Sequence, residues 1–350
     1  METLEVMKPG LLTTIQDLGR HGYQQYGVPV SGAMDSFALR IGNTLVGNTE
    51  AEAGLEITIL GPELKILEDT AIAITGGDLT PTLDGKSLPM WETVLAKKGA
   101  AIAFRGPRSG CRAYLTVSGG IEVPQLMGSR STYIKAQIGG LGGRPLRVGD
   151  RLKTIPNRQP RDFVGRRIPR ELLPTYTGEC DLRVVMGPQD DQFTDEGIRI
   201  FLTSEYVITP QSDRMGYRLV GPKIAHKTGA DIISDGIPLG AVQVPGDGMP
   251  IIMLMDRQTT GGYTKIATVI TVDVDRLAQT KPGDRVRFSK VTVEEAHALL
   301  KERELRVQGI RDLIEAKPTP PAAKAGARKF RVRVAGKVYE VLVEEVSRAS

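Results

Sequence analysis

Gln211-Ser212-Asp213-Arg214-Met215-Gly216-Tyr217-Arg218-Leu219 opens the stretch that decides the fold. It continues through Asp231-Ile232-Ile233-Ser234-Asp235 and Gln243-Val244-Pro245-Gly246-Asp247-Gly248 to Asp256-Arg257-Gln258-Thr259-Thr260-Gly261-Gly262-Tyr263. Between these polar clusters lie short apolar runs, Gly240 to Val244 and Pro250 to Met255, with the length and β-branched content of buried strands. Polar side chains and glycines gathered at strand ends make a pocket on a rigid β scaffold. Glycines serving turns alone would not call for Arg214, Arg218, Gln243, Arg257 and Gln258.

Outward from that stretch, the 350 residues suffice for two domains, each with its own core. Hydrophobic residues at 40% and charged residues at 25% are those of a soluble globular protein. Forty glycines and 22 prolines against seven phenylalanines suit a turn-rich, mainly β chain with a few short helices. The net charge of +5 owes much to Lys324, Arg328, Lys329, Arg331 and Arg333. No basic stripe is interleaved with aromatics, so no nucleic-acid partner is expected. Cys111 and Cys180 have no near neighbour in sequence, and His21, His226 and His297 show no ligand spacing, so no metal site is expected. The N-terminus lacks a leader pattern and no apolar run is long enough to cross a bilayer, so the expected location is cytoplasmic, without membrane contact.

In chain order, residues 1–155 form an N-terminal β domain, opening with a hairpin expected around Lys8-Pro9-Gly10. A helix is expected over Asp35 to Leu45, and Asp84-Gly85 marks a two-residue hairpin. The glycine-rich run Ile138 to Arg144 lacks the lysine and hydroxyl residue of a phosphate loop. Residues 156–178 are a proline- and arginine-rich linker, and 179–310 a second β-barrel-like unit, with a helix near Asp190 to Leu202. Weak echoes, such as Val148-Gly149-Asp150-Arg151 and Pro282-Gly283-Asp284-Arg285, suggest two similar β-barrel-like units. Val293 to Gln308 is expected to be an amphipathic helix behind the second unit, residues 311–328 a flexible tether, and 329–350 a C-terminal hairpin.

Five motifs together resemble the biotin-dependent carboxyltransferase family, whose members are also called allophanate hydrolase subunit 2, urea amidolyase-related protein or the C subunit of 5-oxoprolinase. They are Gln16-Asp17-Leu18-Gly19-Arg20, Gly32-Ala33-Met34-Asp35, Gly128-Ser129-Arg130-Ser131-Thr132-Tyr133, Ser212 to Arg218, and Gln258 to Tyr263, within a match spanning about residues 3 to 290. The resemblance implies cyclophilin-like barrels and a partner of the B type, also called the allophanate hydrolase subunit 1 type, with an A-type protein possible as a third component. Its first functional implication is one subunit of an ATP-dependent 5-oxoprolinase, inactive alone, with ATP bound at the level of the complex. An alternative is a carboxyltransferase component of a urea carboxylase-like enzyme. A third is a non-catalytic module that binds a kinase-inhibitor-type partner. The tail from Phe330 is similar to the start of a biotinyl domain but lacks the Met-Lys-Met acceptor, so biotin under the alternative belongs to another chain.

Either reaction needs fixed donors aimed at charge gathering on amide or urea oxygens. Arg214 and Arg218, with Arg257 third, offer two-pronged recognition of an anion; the plain alternative is that one pairs with Asp213, Asp235 or Asp256. Asp213 and Asp235 are the candidate general bases. Gln243 and Gln258 match a lactam or urea edge, with Thr259 and Thr260 beside them. Gly261 and Gly262 let backbone approach the ligand, and Tyr263 closes over it or packs in a core. Gln16, Asp17, Arg20 and Ser31 to Asp35 either complete the pocket or meet the partner, and Tyr23 to Tyr26 are expected at an interface.

Overall fold

The first half folds, in a computed structural model that describes residues 1–156, 160–315, 328–334 and 337–343, as two antiparallel sheets over one core. One sheet orders its strands Ile121–Glu122, Arg151–Thr154, Glu2–Lys8, Glu63–Ile66, Ala101–Phe104, Pro81–Leu83, Lys86–Ser87. The other orders Leu12–Gln16, Gly54–Thr58, Ser109–Val117, Thr70–Asp78, Thr93–Ala96. Alternation supplies the apolar face of each: Leu4, Val6, Leu64 and Ile66 from one meet Ile15, Leu55, Ile57 and Ile72 from the other in one buried cluster. The opening strands therefore do not form the hairpin that Lys8-Pro9-Gly10 predicts. They enter different sheets, because Gly10, at φ +73°, turns the chain so closely against Leu60 that a Cβ there would stand 2.4 Å from the Leu60 carbonyl oxygen. Asp84-Gly85 does make its expected turn, with both residues at positive φ.

The second half closes into a barrel of seven strands, in the order Glu179–Met186, Lys265–Val269, Ala241–Gln243, Ile251–Met253, Gly216–Val220, Glu205–Ile208, Arg285–Lys290. One parallel pairing, Glu179–Met186 with Arg285–Lys290, completes the ring. Cys180, Leu182 and Val184 point inward, and the stacked Phe201 and Phe288, 4.4 Å between centroids, help fill the interior. Val30 and Met34, from the first half, pack into this same core. Among the described residues the larger unit is thus mainly β, with one closed barrel, two larger sheets and one two-stranded ribbon. A two-stranded ribbon, Asp231–Gly236 with Thr260–Tyr263, stands apart from the barrel sheet and leads into its strands.

Helix α1 (Ser36–Leu45) starts where the Asp35 carboxylate accepts the Ala38 N–H. Helix α2 (Asp195–Thr203) begins later than the sequence pattern predicts, since Thr194 is its cap and 190–192 form a 3-10 turn. Helix α3 (Thr271–Leu277) follows the barrel strand Lys265–Val269. Helix α4 (Val293–Glu315) corrects two expectations. It runs on through residues assigned to the tether, and its buried side, Val307, Ile310 and Ile314, joins Phe37, Ile41 and Trp91 of the first half rather than the back of the barrel. Spacing of three and four residues puts those three side chains on one stripe.

Residues 1–314 make one compact unit and 315–350 a second. In the second, Arg328–Val334 pairs antiparallel with Lys337–Val343. The rest of the expected tether (316–327), the hairpin turn at 335–336, and residues 344–350 lie outside the described residues.

Candidate functional site

At the barrel rim, Gln243 ends one strand and Lys265 begins its neighbour, and the two are paired just past a bulge that follows Val242. Both are buried, Lys265 to 1% exposure. The Lys265 ammonium lies 3.1 Å from the carboxylate of Asp235, which the ribbon carries out to 56% side-chain exposure. That ion pair, with the backbone N–H of Gly236, holds the Asp235 carboxyl below its ordinary range. Asp235 sits opposite Gly261 on the ribbon. Gly261 is closely packed: a Cβ there would stand 2.6 Å from Ile237 Cδ1, 3.0 Å from Gln243 Nε2 and 3.6 Å from Gln258 Nε2. Of these two amides, the Gln243 Nε2 donor and the Gln258 Oε1 acceptor are buried without a hydrogen-bond partner. Gln189 accepts the Lys265 N–H from beneath. A polar site with one idle donor, one idle acceptor and an ammonium therefore stands at the rim.

Asp235, Gln243, Gln258 and Gly261 come together here, with Thr260, Gly262 and Tyr263 on the same ribbon strand. Thr259 uses its carbonyl to receive the Ile237 N–H, fixing the ribbon's base. The arginines go elsewhere. Arg214 is buried between Asp256, whose two oxygens lie 3.0 and 3.1 Å away, and Glu56 of the first half, and it also donates to the Gly32 carbonyl. Arg257 donates to the carbonyls of Ile237 and Leu254, and burial lowers its pKa to about 10. Arg218 is exposed, and Asp213 is spent receiving the N–H groups of Met215 and Gly216 in a turn. Tyr217 is buried in the joint between the halves, within reach of the Arg112 guanidinium. Reading from sequence passed over Lys265 and Gln189. Lys265 shares strand parity with the buried Ala267 and Val269, a signal masked because Ile266 between them is buried too.

The first-half motifs build a separate network. Asp17 receives the Ser129 and Ser131 hydroxyls and the N–H groups of Gly19 and Arg130. Arg20, fully buried, donates to the Ser131 and Leu126 carbonyls, and desolvation lowers its pKa against the pull of Asp17 and Asp256. Tyr26, by contrast, is 72% exposed.

A cleft of about 400 Å³ opens where Leu173 to Tyr176 of the connecting segment cross α1, α3 and α4. Its floor carries Asp35, which receives the Tyr176 hydroxyl and the Gln279 amide, and Asp275, which receives Ser36 N–H and pairs with Arg303. Burial, then the neighbouring Asp275, raises the Asp35 pKa to about 7. Of the residues singled out from the sequence, Asp35 lines this cleft, and none of those in the second half does. Among the described residues no group of histidine, cysteine and acidic side chains is placed to hold a metal, and no helix is long and apolar enough to cross a membrane.

Fold and rim together define a β-barrel protein with a cluster of polar side chains where a two-stranded ribbon meets the barrel. Residues 26–290 match the family model described as carboxyltransferase domain, subdomain A and B, and the chain belongs to that family. It is 39% identical over 293 residues to the C subunit of 5-oxoprolinase from Escherichia coli (strain K12), covering 84% of this chain and 93% of that one. The corresponding 5-oxoprolinase protein of Haemophilus influenzae is 35% identical, covering 87% and 96%. Saccharomyces cerevisiae urea amidolyase is 35% identical over 88% of this chain, but only 18% of that protein is covered. Among solved structures, urea amidolyase and urea carboxylase of Kluyveromyces lactis each align with a TM-score of 0.83, at 32% and 29% identity. They cover 89% and 98% of this chain and 20% and 32% of theirs.

Proposed function

We propose that this chain is the C-type component of an ATP-dependent 5-oxoprolinase, acting with a B-type partner and an A-type third component in the cytoplasm. The observation that carries this reading is the pair of idle amide groups beside Gly261. A lactam turns its carbonyl oxygen and its N–H to one side, an acceptor next to a donor. Gln243 Nε2 donates to the first and Gln258 Oε1 accepts from the second. Leaving both buried and unpaired costs about 1–3 kcal/mol each, which a bound amide edge recovers. The near-complete overlap with two proteins named as the C component of 5-oxoprolinase supports the choice of substrate. ATP, held at the level of the complex, supplies the driving force for opening the ring. This chain's part is to fix the lactam so that its carbonyl is polarised by a preorganised donor. Purified together with its A-type and B-type partners, it is expected to yield glutamate and ADP from 5-oxoproline and ATP. No turnover above a mixture of those two partners would overturn the reading.

Urea shows the same carbonyl and N–H edge, and the family description together with the urea amidolyase and urea carboxylase structures favours a second reading, carboxyl transfer to such an acceptor. That reaction requires bicarbonate and a biotinylated carrier on another chain, so omitting either separates the two.

A further inference from the structure

We infer that the cleft beneath the connecting segment is a second ligand site, which takes a small monocarboxylate with an apolar body. The inference is independent of the lactam reading of the rim, since no rim residue lines the cleft. Its volume of about 400 Å³ is that of an ordinary small-molecule site. Phe37, Leu173, Pro174, Val272 and Leu299 supply an apolar wall, and four guanidinium groups and four carboxyl groups share the polar lining. Two of the guanidinium groups are spent: Arg183 grips Asp273 at 2.6 Å, and Arg303 pairs with Asp275 at 2.7 Å. The other two have no carboxylate partner. Arg276 makes one long hydrogen bond, 3.5 Å to the Asp181 carbonyl. Arg306 lends one nitrogen to the Leu172 carbonyl at 2.9 Å and lies over the Phe37 ring. Most of the five N–H donors that each of these forks carries are therefore left for a ligand.

Charge decides the class of ligand. Asp35, on the floor, receives Tyr176 and Gln279, and burial, then Asp275, lifts its pKa to about 7. Below that value Asp35 is mostly uncharged, so the four guanidinium groups face only Asp273, Asp275 and the exposed Glu302. One positive charge in excess suits a monoanion, and a phosphate dianion would overshoot it. A planar carboxylate also matches the guanidinium fork, while the apolar wall receives the rest of the molecule. Arg276 belongs to α3 and Arg306 to α4, so an anion held by both links the two helices and stabilises the folded chain by mass action. The plain alternative is that Arg306 only holds the connecting segment down and the cleft takes nothing but solvent.

The test uses the full chain at about pH 6, where Asp35 is mostly protonated, with hexanoate, its neutral amide hexanamide and inorganic phosphate as probes in titration calorimetry. Hexanoate is expected to saturate one site, roughly tenfold or more tighter than either of the other two. Arg276→Gln and Arg306→Gln are each expected to weaken hexanoate about tenfold and to leave hexanamide nearly unchanged. Arg276→Gln keeps the Leu172 contact whole, so its loss cannot come from a loosened connecting segment. Arg218→Gln, an exposed arginine outside the cleft, should bind hexanoate like the wild type, which separates a site from a general effect of charge. Hexanoate should also raise the Tm of the wild type more than that of either cleft variant. No saturable binding, hexanamide or phosphate binding as tightly as hexanoate, or an affinity untouched by both cleft variants would each overturn the inference.

Discussion

Arg214 sits between two carboxylates drawn from opposite halves of the chain, Glu56 and Asp256. Glu56 is buried to 1% exposure, and burial alone would push its pKa up; Arg214 and then Arg112 outweigh that and hold it low. The Glu56 carboxylate also receives Met34 N–H and the Tyr114 hydroxyl, so its lone pairs are well used. A charge this enclosed belongs to architecture. Arg214→Ala leaves two buried carboxylates short of a cation, and is expected to cost about 3–5 kcal/mol in urea denaturation. Arg218→Ala, on an exposed side chain in the same motif, should stay within about 0.5 kcal/mol. Equal effects in the two variants would show that the network is no keystone. Sequence displayed all three arginines as one type of residue. Pairing with Asp256, 42 positions away, was within its reach as an alternative, but Glu56, 158 positions away, was not, since only the folded sheet brings it there. Gln243 stands out in the sequence for the opposite reason: an amide at the end of an apolar strand has few structural uses. Lys265 was not, because burial of a lysine depends on register and on the ribbon, neither of which strand alternation states.

At the level of elements, alternation disclosed most strands, yet it does not say which sheet a strand joins. The opening pair shows why. A hairpin and a crossover share the same Lys-Pro-Gly punctuation, and what separates them is the contact of Gly10 with Leu60, fifty residues on. Helix α4 is the parallel case. Its charged face was visible, but the partner for its apolar stripe was not, since Phe37, Ile41 and Trp91 lie some 200 residues or more upstream. If α4 is a strut for the first half, Ile310→Ala should cost about 2–5 kcal/mol, because the helix cannot collapse into the space left beside α1. Leu305→Ala, on the 64% exposed side, should be close to neutral. Chemical denaturation of both variants checks this, and a neutral Ile310→Ala would mean that the end of α4 contributes little to the larger unit.

Over the whole molecule, the two halves meet at a joint rich in buried polar groups, and Asp35 is its hub. It caps α1, receives Tyr176 from the connecting segment, and receives Gln279, whose carbonyl oxygen in turn takes the N–H groups of Cys111 and Arg112. Asp275 faces it from α3 and is tied to Arg303 of α4; Asp273 with Arg183, Glu302 and Arg306 line the same cleft. With its folded pKa near 7 and an ordinary value near 3.8, Asp35 keeps a proton in the folded protein that the unfolded chain has already released. Its contribution to stability is therefore full below the lower value, falls as pH rises between the two, and is gone above the upper one. Burial also raises Asp275, while Glu56, Asp150, Asp235 and Glu304 are held below their ordinary values. Asparagine keeps the capping oxygen and removes the proton exchange. Denaturation free energies of the wild type and Asp35→Asn, followed from about pH 4 to about pH 8, should differ in slope, the wild type losing stability relative to the variant as pH rises. Curves that run parallel across the window would show that the donors around Asp35 keep it ionised throughout, with the joint indifferent to pH.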